Sequence, residues 1–263
     1  MHANLFDRYQ AGSSPIHRLD PRVKVVVSVL FILSNVLLPD GAWAAFLLSW
    51  GLVLLINSQA GLDAGFTVKH SLVALPFALA AVTAIFALPG EPIAAWNLGP
   101  WRLVATDAGL LRFASILVRS WLSVQVAILL VATTQFPDLM HALRHLRMPA
   151  VLVAVILFMY RYLFVLTDEA LRLLRARQSR SARPAAGGGG GSLAWRAHVT
   201  GNMAGQLFLR SYERSERVYA AMLARGYRGQ FLTLNPHEIQ ARDWLLGGLA
   251  VLLLLLLQLL GRM

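Results

Sequence analysis

The sequence predicts an all-α integral membrane protein with about five transmembrane helices and a cytoplasmic part built on two long helices that cross. Hydrophobic residues make up 57% of the 263 residues and charged residues only 14%, a balance that soluble domains do not show. Several apolar runs approach the ~20 residues that cross a bilayer. Basic residues are concentrated in one segment, which indicates how the chain is oriented in the membrane.

Four apolar runs predict a membrane domain over residues 1–134. Pro-Asp-Gly separates the first two runs, which therefore form a helical hairpin, and Pro76 is expected to kink the third. A loop at 89–108 follows it. The polar N-terminus does not look like a cleaved signal peptide, so the first run serves as the insertion signal. The predicted spans lie near 23–38, 42–56, 71–88 and 109–134.

The fourth span carries two arginines on one helix face, Arg112 and Arg119, which are seven residues apart. Charged side chains inside a membrane domain face protein or lipid headgroups rather than acyl chains. The same is expected here.

A basic segment, 135–242, separates these spans from a fifth at 243–263, whose apolar part is 244–260. The segment holds 15 of the 24 Lys and Arg residues but 6 of the 13 acidic residues. The positive-inside rule places it, and the N-terminus, in the cytoplasm. Five spans then leave the C-terminus outside.

The cytoplasmic segment is predicted to hold one short and two long helices. Asp138 is a plausible N-cap for the short helix, and Pro149 opens a long helix that reaches about Arg180. A flexible linker at 183–192 follows. The second long helix runs from about Trp195 to Ala224 or Arg225.

The first part of the first long helix, 150–167, is apolar enough to be a sixth span. Arg161 lies in its middle, and its pattern continues without a break into a polar helix. These features favour a helix that lies at the membrane interface. A membrane-spanning position stays open.

The two long helices end alike, in Ala176-Arg177-Gln178 and in Ala224-Arg225-Gly226. Arginine suits a helix C-terminus, and glycine can close the helix in a left-handed conformation, so capping alone could explain one such end. Two similar ends in one segment indicate instead a pair of equivalent docking sites for two similar partners. Residues three, four and seven positions before each arginine share its face: Ala170, Leu173, Leu174, Val218, Ala221 and Met222.

Other polar residues of the second long helix are given structural roles. Glu213 and Arg217 are spaced for an ion pair along the helix. Tyr212 and Tyr219 could pack between the two long helices or anchor a partner, and packing is favoured.

Three stretches carry a family resemblance: IHRLDPRVK (16–24), RYLFVLTDEALRLLRARQSR (161–180) and LFLRSYERSERVYAAMLARGYRG (207–229). In this order they resemble the transmembrane T component of energy-coupling factor transporters, of the CbiQ type that serves cobalt or nickel uptake. The resemblance implies a scaffold and coupling subunit in a prokaryotic cell (inner) membrane. Two ABC-type ATPases, identical or different, would bind the two arginine motifs, and a substrate-binding membrane S component would bind the spans. Gln178 departs from the glycine of the family motif.

Other kinds of site are disfavoured. His141 and His145 have a metal-compatible spacing but lack a third ligand nearby, and the glycine run lacks the lysine of a P-loop. No cofactor, nucleic acid or catalytic residue is expected. The alternatives are a membrane-embedded enzyme of lipid metabolism, or a stand-alone secondary transporter, which usually needs acidic residues or histidines inside its spans. The predicted spans have no Asp or Glu in their interiors.

Overall fold

The computed structural model describes residues 9–74, 76, 80–98, 101–180, 192–229 and 239–262. Helices dominate this part of the chain, which confirms the predicted all-α class. The helices are α1 (Pro21–Leu37), α2 (Trp43–Gln59), α3 (Ala64–Ser71), α4 (Thr83–Ala87), α5 (Asp107–Thr133), α6 (Phe136–His145), α7 (Ala150–Arg180), α8 (Leu193–Ala224) and α9 (Ala241–Arg262).

A small antiparallel hairpin, β1 (Pro92–Leu98) and β2 (Trp101–Thr106), lies where the sequence analysis expected only a loop. Trp96 is paired with Leu103 in its register. Aromatic and β-branched residues in both segments favour strand pairing. The hairpin leads directly into α5, whose N-cap Thr106 accepts a hydrogen bond from the Gly109 N–H.

Two compact units make up the fold. The core unit contains Asp7–Leu146 and Pro236–Met263, and the described part of the inserted unit lies within Arg147–Asn235. The division differs from the predicted cytoplasmic domain of 135–242, because α6 packs against α1 in the core unit. The predicted linker at 183–192 lies outside the described residues except for Ser192, whose side chain caps α8.

The core unit is organised around α1, α2, α5 and α9: α1 and α2 each pack against both α5 and α9. Gly41, with a φ of 81°, lies in the turn between α1 and α2 that the sequence predicted. Its N–H donates to the Ser115 hydroxyl of α5 at 3.0 Å. Buried apolar side chains from all four helices form one cluster: Phe31, Phe46, Val53, Leu122, Leu129 and Leu254.

Three described helices, α5, α7 and α9, are long and apolar enough to cross a membrane, and α2 is a shorter apolar helix. The spans predicted near 109–134 and 244–260 are thus confirmed as helices of sufficient length. α7 also qualifies by length and composition. The interfacial position predicted for 150–167 therefore stays a prediction.

The span predicted over 71–88 is not one helix in the described part of the chain. α3 ends at Ser71, a 3₁₀ turn covers Leu72–Ala74, and α4 covers only Thr83–Ala87. Pro76 is itself helical but has no N–H to donate to the carbonyl of Leu72. The kink predicted at this position stays a prediction.

The short helix α6 begins earlier than predicted. Asp138 is not its N-cap: the helix starts at Phe136, and Asp138 lies in its first turn, where a carboxylate also suits the helix dipole. Arg147 follows the end of α6 with a φ of 68°, the one positive φ of a non-glycine residue in the described segments. The chain then enters α7 at Ala150, as the proline at 149 predicted.

Candidate functional site

The end of α8 is a complete Schellman cap. Gly226 has a φ of 81°, the left-handed conformation that the sequence predicted. Its N–H donates to the carbonyl of Leu223, and the Tyr227 N–H donates to the carbonyl of Met222, both at 3.0 Å. This pair of hydrogen bonds satisfies carbonyls that a helix end leaves without partners. Arg225 therefore stands at the last position of a well-defined helix end.

The tip of α8 is accessible. Ala221, Ala224, Arg225 and Gly226 are exposed. Val218 and Met222, which precede the arginine on its own face, are half-buried. An arginine at such a tip can present its planar guanidinium to carboxylates or carbonyls.

The corresponding motif of α7 is built differently. Arg177 lies within α7 and is half-buried, three residues before Arg180, the last described residue of the helix. Its neighbours Ala176 and Gln178 are exposed. The Ser179 hydroxyl donates to the carbonyl of Ala176 at 3.0 Å. The two ends are therefore not equivalent in backbone structure, although the sequence analysis treated them as alike.

The face that leads to Arg177 is only partly covered. Ala170 and Leu173 are half-buried, whereas Leu174 is exposed with 42% of its surface accessible. The arginine thus follows a small, partly exposed apolar patch.

A charged link joins α7 to α8. The Glu169 carboxylate accepts a 2.7 Å hydrogen bond from Arg210 Nη1 of α8 and pairs with Arg172 Nη2 at 3.2 Å. The Glu169 side chain is only 14% exposed. The hydrogen bond from Arg210, followed by the charges of Arg172, Arg210 and Arg214, holds the pKa of Glu169 below its ordinary value against the opposing effect of partial burial.

Two predicted contacts of α8 are absent among the described residues. Glu213 and Arg217 form no ion pair there. Tyr212 and Tyr219 do not pack between the long helices, since they are 55% and 58% exposed. Glu169 was not predicted as a paired residue. Its spacing to Arg172 was a signal in the sequence, whereas its partner on α8, Arg210, could be found only from the fold.

One face of α8 is apolar and open. Phe208, Tyr212 and Tyr219 fall along one stripe of the helix and are all more than half exposed. Arg210 lies about 160° around the helix from Phe208, so α7 contacts the opposite side. At Gly201 and Gly205 a Cβ atom would meet nothing within 4 Å.

In the core unit, the stretch 16–24 closes the end of α5. The last carbonyls of a helix lack partners within the helix. Here Lys24 Nζ donates to the carbonyl of Thr133 at 3.0 Å and to that of His17 at 3.1 Å, and the Gln10 N–H donates to the carbonyl of Ala132. Lys24 is only 7% exposed.

The same stretch also contacts α6 and α9. Asp20 caps α1 by accepting from the Arg22 N–H at 2.8 Å, and Arg22 Nη2 donates to His141 Nε2 at 3.3 Å. The Asp20 N–H faces the buried Asp243 carboxylate at 3.5 Å. The His145 Nδ1 donates to the carbonyl of His141.

These contacts disfavour a metal site at the two histidines. His141 Nε2 already accepts from a cation, and the described residues contain no group of three potential metal ligands.

The arginines of α5 face protein, as predicted. Arg119 Nη2 donates to the carbonyl of Leu38 and to the Asp40 carboxylate at 2.8 Å, and its guanidinium lies 5.8 Å from the Phe46 ring centre. Arg112 lies farther away, with its Nε 4.0 Å from Asp40. The pair fastens the α1–α2 turn to α5.

The structure thus defines a multi-helix membrane protein that carries an inserted pair of long helices with an exposed arginine at one tip. The model of the CbiQ family, described as cobalt transport protein, matches residues 12–235. The chain belongs to this family, and it is a membrane component of a transporter of the cobalt or energy-coupling factor type.

Three relatives show how far the similarity extends. The energy-coupling factor transporter transmembrane protein EcfT of Lacticaseibacillus paracasei is 29% identical over 97% of this chain and 98% of its own length. An uncharacterized protein of Methanocaldococcus jannaschii is 27% identical over 90% of this chain and 80% of its own length. The cobalt transport protein CbiQ of Salmonella typhimurium is 30% identical over 60% of this chain and 70% of its own length.

Proposed function

We propose that this chain is the non-catalytic coupling subunit of an ATP-driven importer of cobalt or nickel ions. In this proposal two ABC-type ATPases bind the ends of α7 and α8, and the spans bind a substrate-binding S component. The observation that carries the proposal is the exposed, capped tip of α8 with Arg225 at its last position, in a chain of the CbiQ family.

The structure of the inserted unit supports a role in transmitting movement. At 1.5 Å per residue, Arg225 lies about 22 Å along α8 from Arg210, and Arg177 about 12 Å along α7 from Glu169. A helix transmits displacement along its axis because its backbone hydrogen bonds resist bending. The link at Glu169 then couples the two helices at an intermediate point.

The docking chemistry follows from the residue types. A guanidinium keeps its charge when it is partly desolvated and binds carboxylates or carbonyls with two parallel hydrogen bonds. The small and apolar residues before each arginine, such as Val218 and Met222, would pack into a groove of the ATPase. The open apolar face of α8 around Phe208 supports contact with the S component.

The proposal is tested by co-purification with the two ATPases. We expect the double variant Arg177→Glu and Arg225→Glu to insert into the membrane but to lose both ATPases and metal uptake, because a carboxylate reverses the charge at each contact. The matched control is Arg180→Glu with Arg228→Glu, which reverses two exposed arginines three residues farther along the chain. Retention of the ATPases and of uptake in the first variant would refute the docking assignment.

The rival functions make different predictions for the same preparation. An enzyme of lipid metabolism would act as the purified chain alone. A secondary transporter would move its substrate in liposomes without ATPases. Uptake that requires the ATPases and fails with the charge-reversed variant contradicts both.

A further inference from the structure

The described part of the inserted unit, within Arg147–Asn235, is joined to the core unit by two chain connections. The chain leaves the core unit after α6 and returns to it just before α9. Displacement of Arg147–Asn235 that travels along the chain enters the core unit at these two helices. If contacts hold α6 and α9 in place relative to the other helices of the core unit, displacement of the inserted unit moves the spans. Without such contacts, only the two connecting segments would change conformation.

Residues of the stretch 16–24 hold both helices. On the α6 side, Arg22 of α1 donates to His141 at 3.3 Å. On the α9 side, the buried Asp243 accepts from the Gln240 N–H at 3.0 Å and faces the Asp20 N–H at 3.5 Å. α1 thus bridges the departure and return points of the inserted unit.

Lys24 completes this bridge. It is buried, and its two hydrogen bonds fix the carbonyls of His17 and Thr133. Thr133 is the last residue of α5, and only Thr134 and Gln135 separate it from α6. A buried ammonium group with two partners is costly to displace, so Lys24 fixes the point at which α6 leaves α5.

We propose that Asp20, Arg22, Lys24, His141 and Asp243 form a transmission joint, which moves α6 and α9 as one body when the inserted unit moves. Lys24 is its central positioning residue. The inference rests on the proposed coupling function and names the part of the core unit that receives the displacement.

The chain offers a closely matched control for Lys24. It contains only two lysines, and the other, Lys69, is exposed on α3. In the complete complex with ATPases and S component, we expect Lys24→Met to retain the ATPases and to hydrolyse ATP, while metal uptake per ATP hydrolysed falls roughly tenfold. Lys69→Met should match the wild type, and Lys24→Arg should recover part of the lost uptake because it can still donate to both carbonyls.

A purely structural role gives another result. If Lys24 served only stability, ATP hydrolysis and uptake would fall together with the amount of complex, and their ratio would stay constant. That constant ratio would overturn the joint. Should Lys24→Met fail to assemble, Asp243→Asn provides the same test, because the amide keeps the shape but can satisfy only one of the two N–H groups.

A distance measurement tests the joint without an activity assay. The chain has no cysteine, so nitroxide labels can be placed at Leu146→Cys after α6 and Ala241→Cys at the start of α9, both exposed positions. We expect one narrow distance distribution that is unchanged by ATP, and a broadened distribution in Lys24→Met but not in Lys69→Met. Equal widths in both variants would overturn the proposal.

The two proposals fail in distinguishable ways. If the wild-type chain does not bind ATPases, the coupling function falls, and the joint falls with it. If the wild-type complex assembles and transports but Lys24→Met has an unchanged ratio of uptake to hydrolysis, only the joint is refuted.

Discussion

Arg210 of α8 donates a 2.7 Å hydrogen bond to Glu169 of α7, and Arg172 holds the other oxygen of the same carboxylate at 3.2 Å. One acidic side chain is thus shared by two cations, one from its own helix and one from the neighbouring helix. Within the described residues this is the ion pair that joins the two long helices. It is the contact through which their positions depend on each other.

Neutralising this carboxylate should loosen α8. We expect Glu169→Gln to increase amide hydrogen exchange around Arg210 about two- to fivefold, because an amide cannot replace the charge that two arginines share. The measurement is hydrogen–deuterium exchange by mass spectrometry. Glu213→Gln is the control, since Glu213 has no ion pair in the described structure, and an equal increase in both variants would contradict the link.

Acid should open the same link. The pKa of Glu169 lies below its ordinary value of 4.5, so the folded state favours the ionised form. The resulting stabilisation is complete above that ordinary value and is lost as the pH falls through the lowered pKa. Labels at Leu174→Cys and Tyr212→Cys should show a constant distance from pH 7 to about 5 and a broader distribution in stronger acid. The Glu169→Gln variant should show no such transition, and a transition near neutral pH would exclude Glu169 as its cause.

The cap of α8 should depend on glycine at position 226. Its φ of 81° is strained for any residue with a Cβ, so Gly226→Ala should destabilise the end of α8 by about 1 kcal/mol. Gly205→Ala, in the open helix interior, should instead stabilise the helix by ~0.5–1 kcal/mol. Hydrogen exchange of the backbone amides from Met222 to Tyr227 measures the effect of Gly226→Ala. Unaltered exchange in Gly226→Ala would show that the cap is not needed to form the tip.

The turn between α1 and α2 should be more sensitive to Arg119 than to Arg112. Arg119→Met leaves the Leu38 carbonyl and the Asp40 carboxylate without their donor in a largely buried site. We expect the free energy of unfolding to fall by about 1–3 kcal/mol. Arg112 is half exposed and 4.0 Å from Asp40, so Arg112→Met should cost no more than ~0.5 kcal/mol. Thermal unfolding of the two variants in detergent measures both losses of stability. Equal losses would mean that the two arginines share the contact evenly.

Local sequence signals predicted the parts of the fold that depend on local chemistry. Pro149 marked the start of α7, and Gly226 marked the end of α8. The Pro-Asp-Gly sequence predicted the turn between α1 and α2, where glycine at position 41 takes the left-handed conformation. Such signals act over a few residues and do not need the rest of the fold.

Contacts between distant segments could not be predicted in this way. The spacing of Glu213 and Arg217 favoured a pair along α8, but the structure places a carboxylate from α7 against Arg210 instead. Hydropathy predicted one kinked span over 71–88, but it could not show the 3₁₀ turn at Leu72–Ala74 near its start. Likewise, the family resemblance drew attention to the stretch 16–24, but only the fold shows Lys24 closing the end of α5.

The central claim is that each long helix binds one ATPase through its arginine. The most direct test is the mass of the intact complex, measured by native mass spectrometry on the wild type and on the single variants Arg177→Glu and Arg225→Glu. We predict two ATPase subunits per chain in the wild type and one in each single variant. Two bound ATPases in either variant, or none in the wild type, would contradict the account.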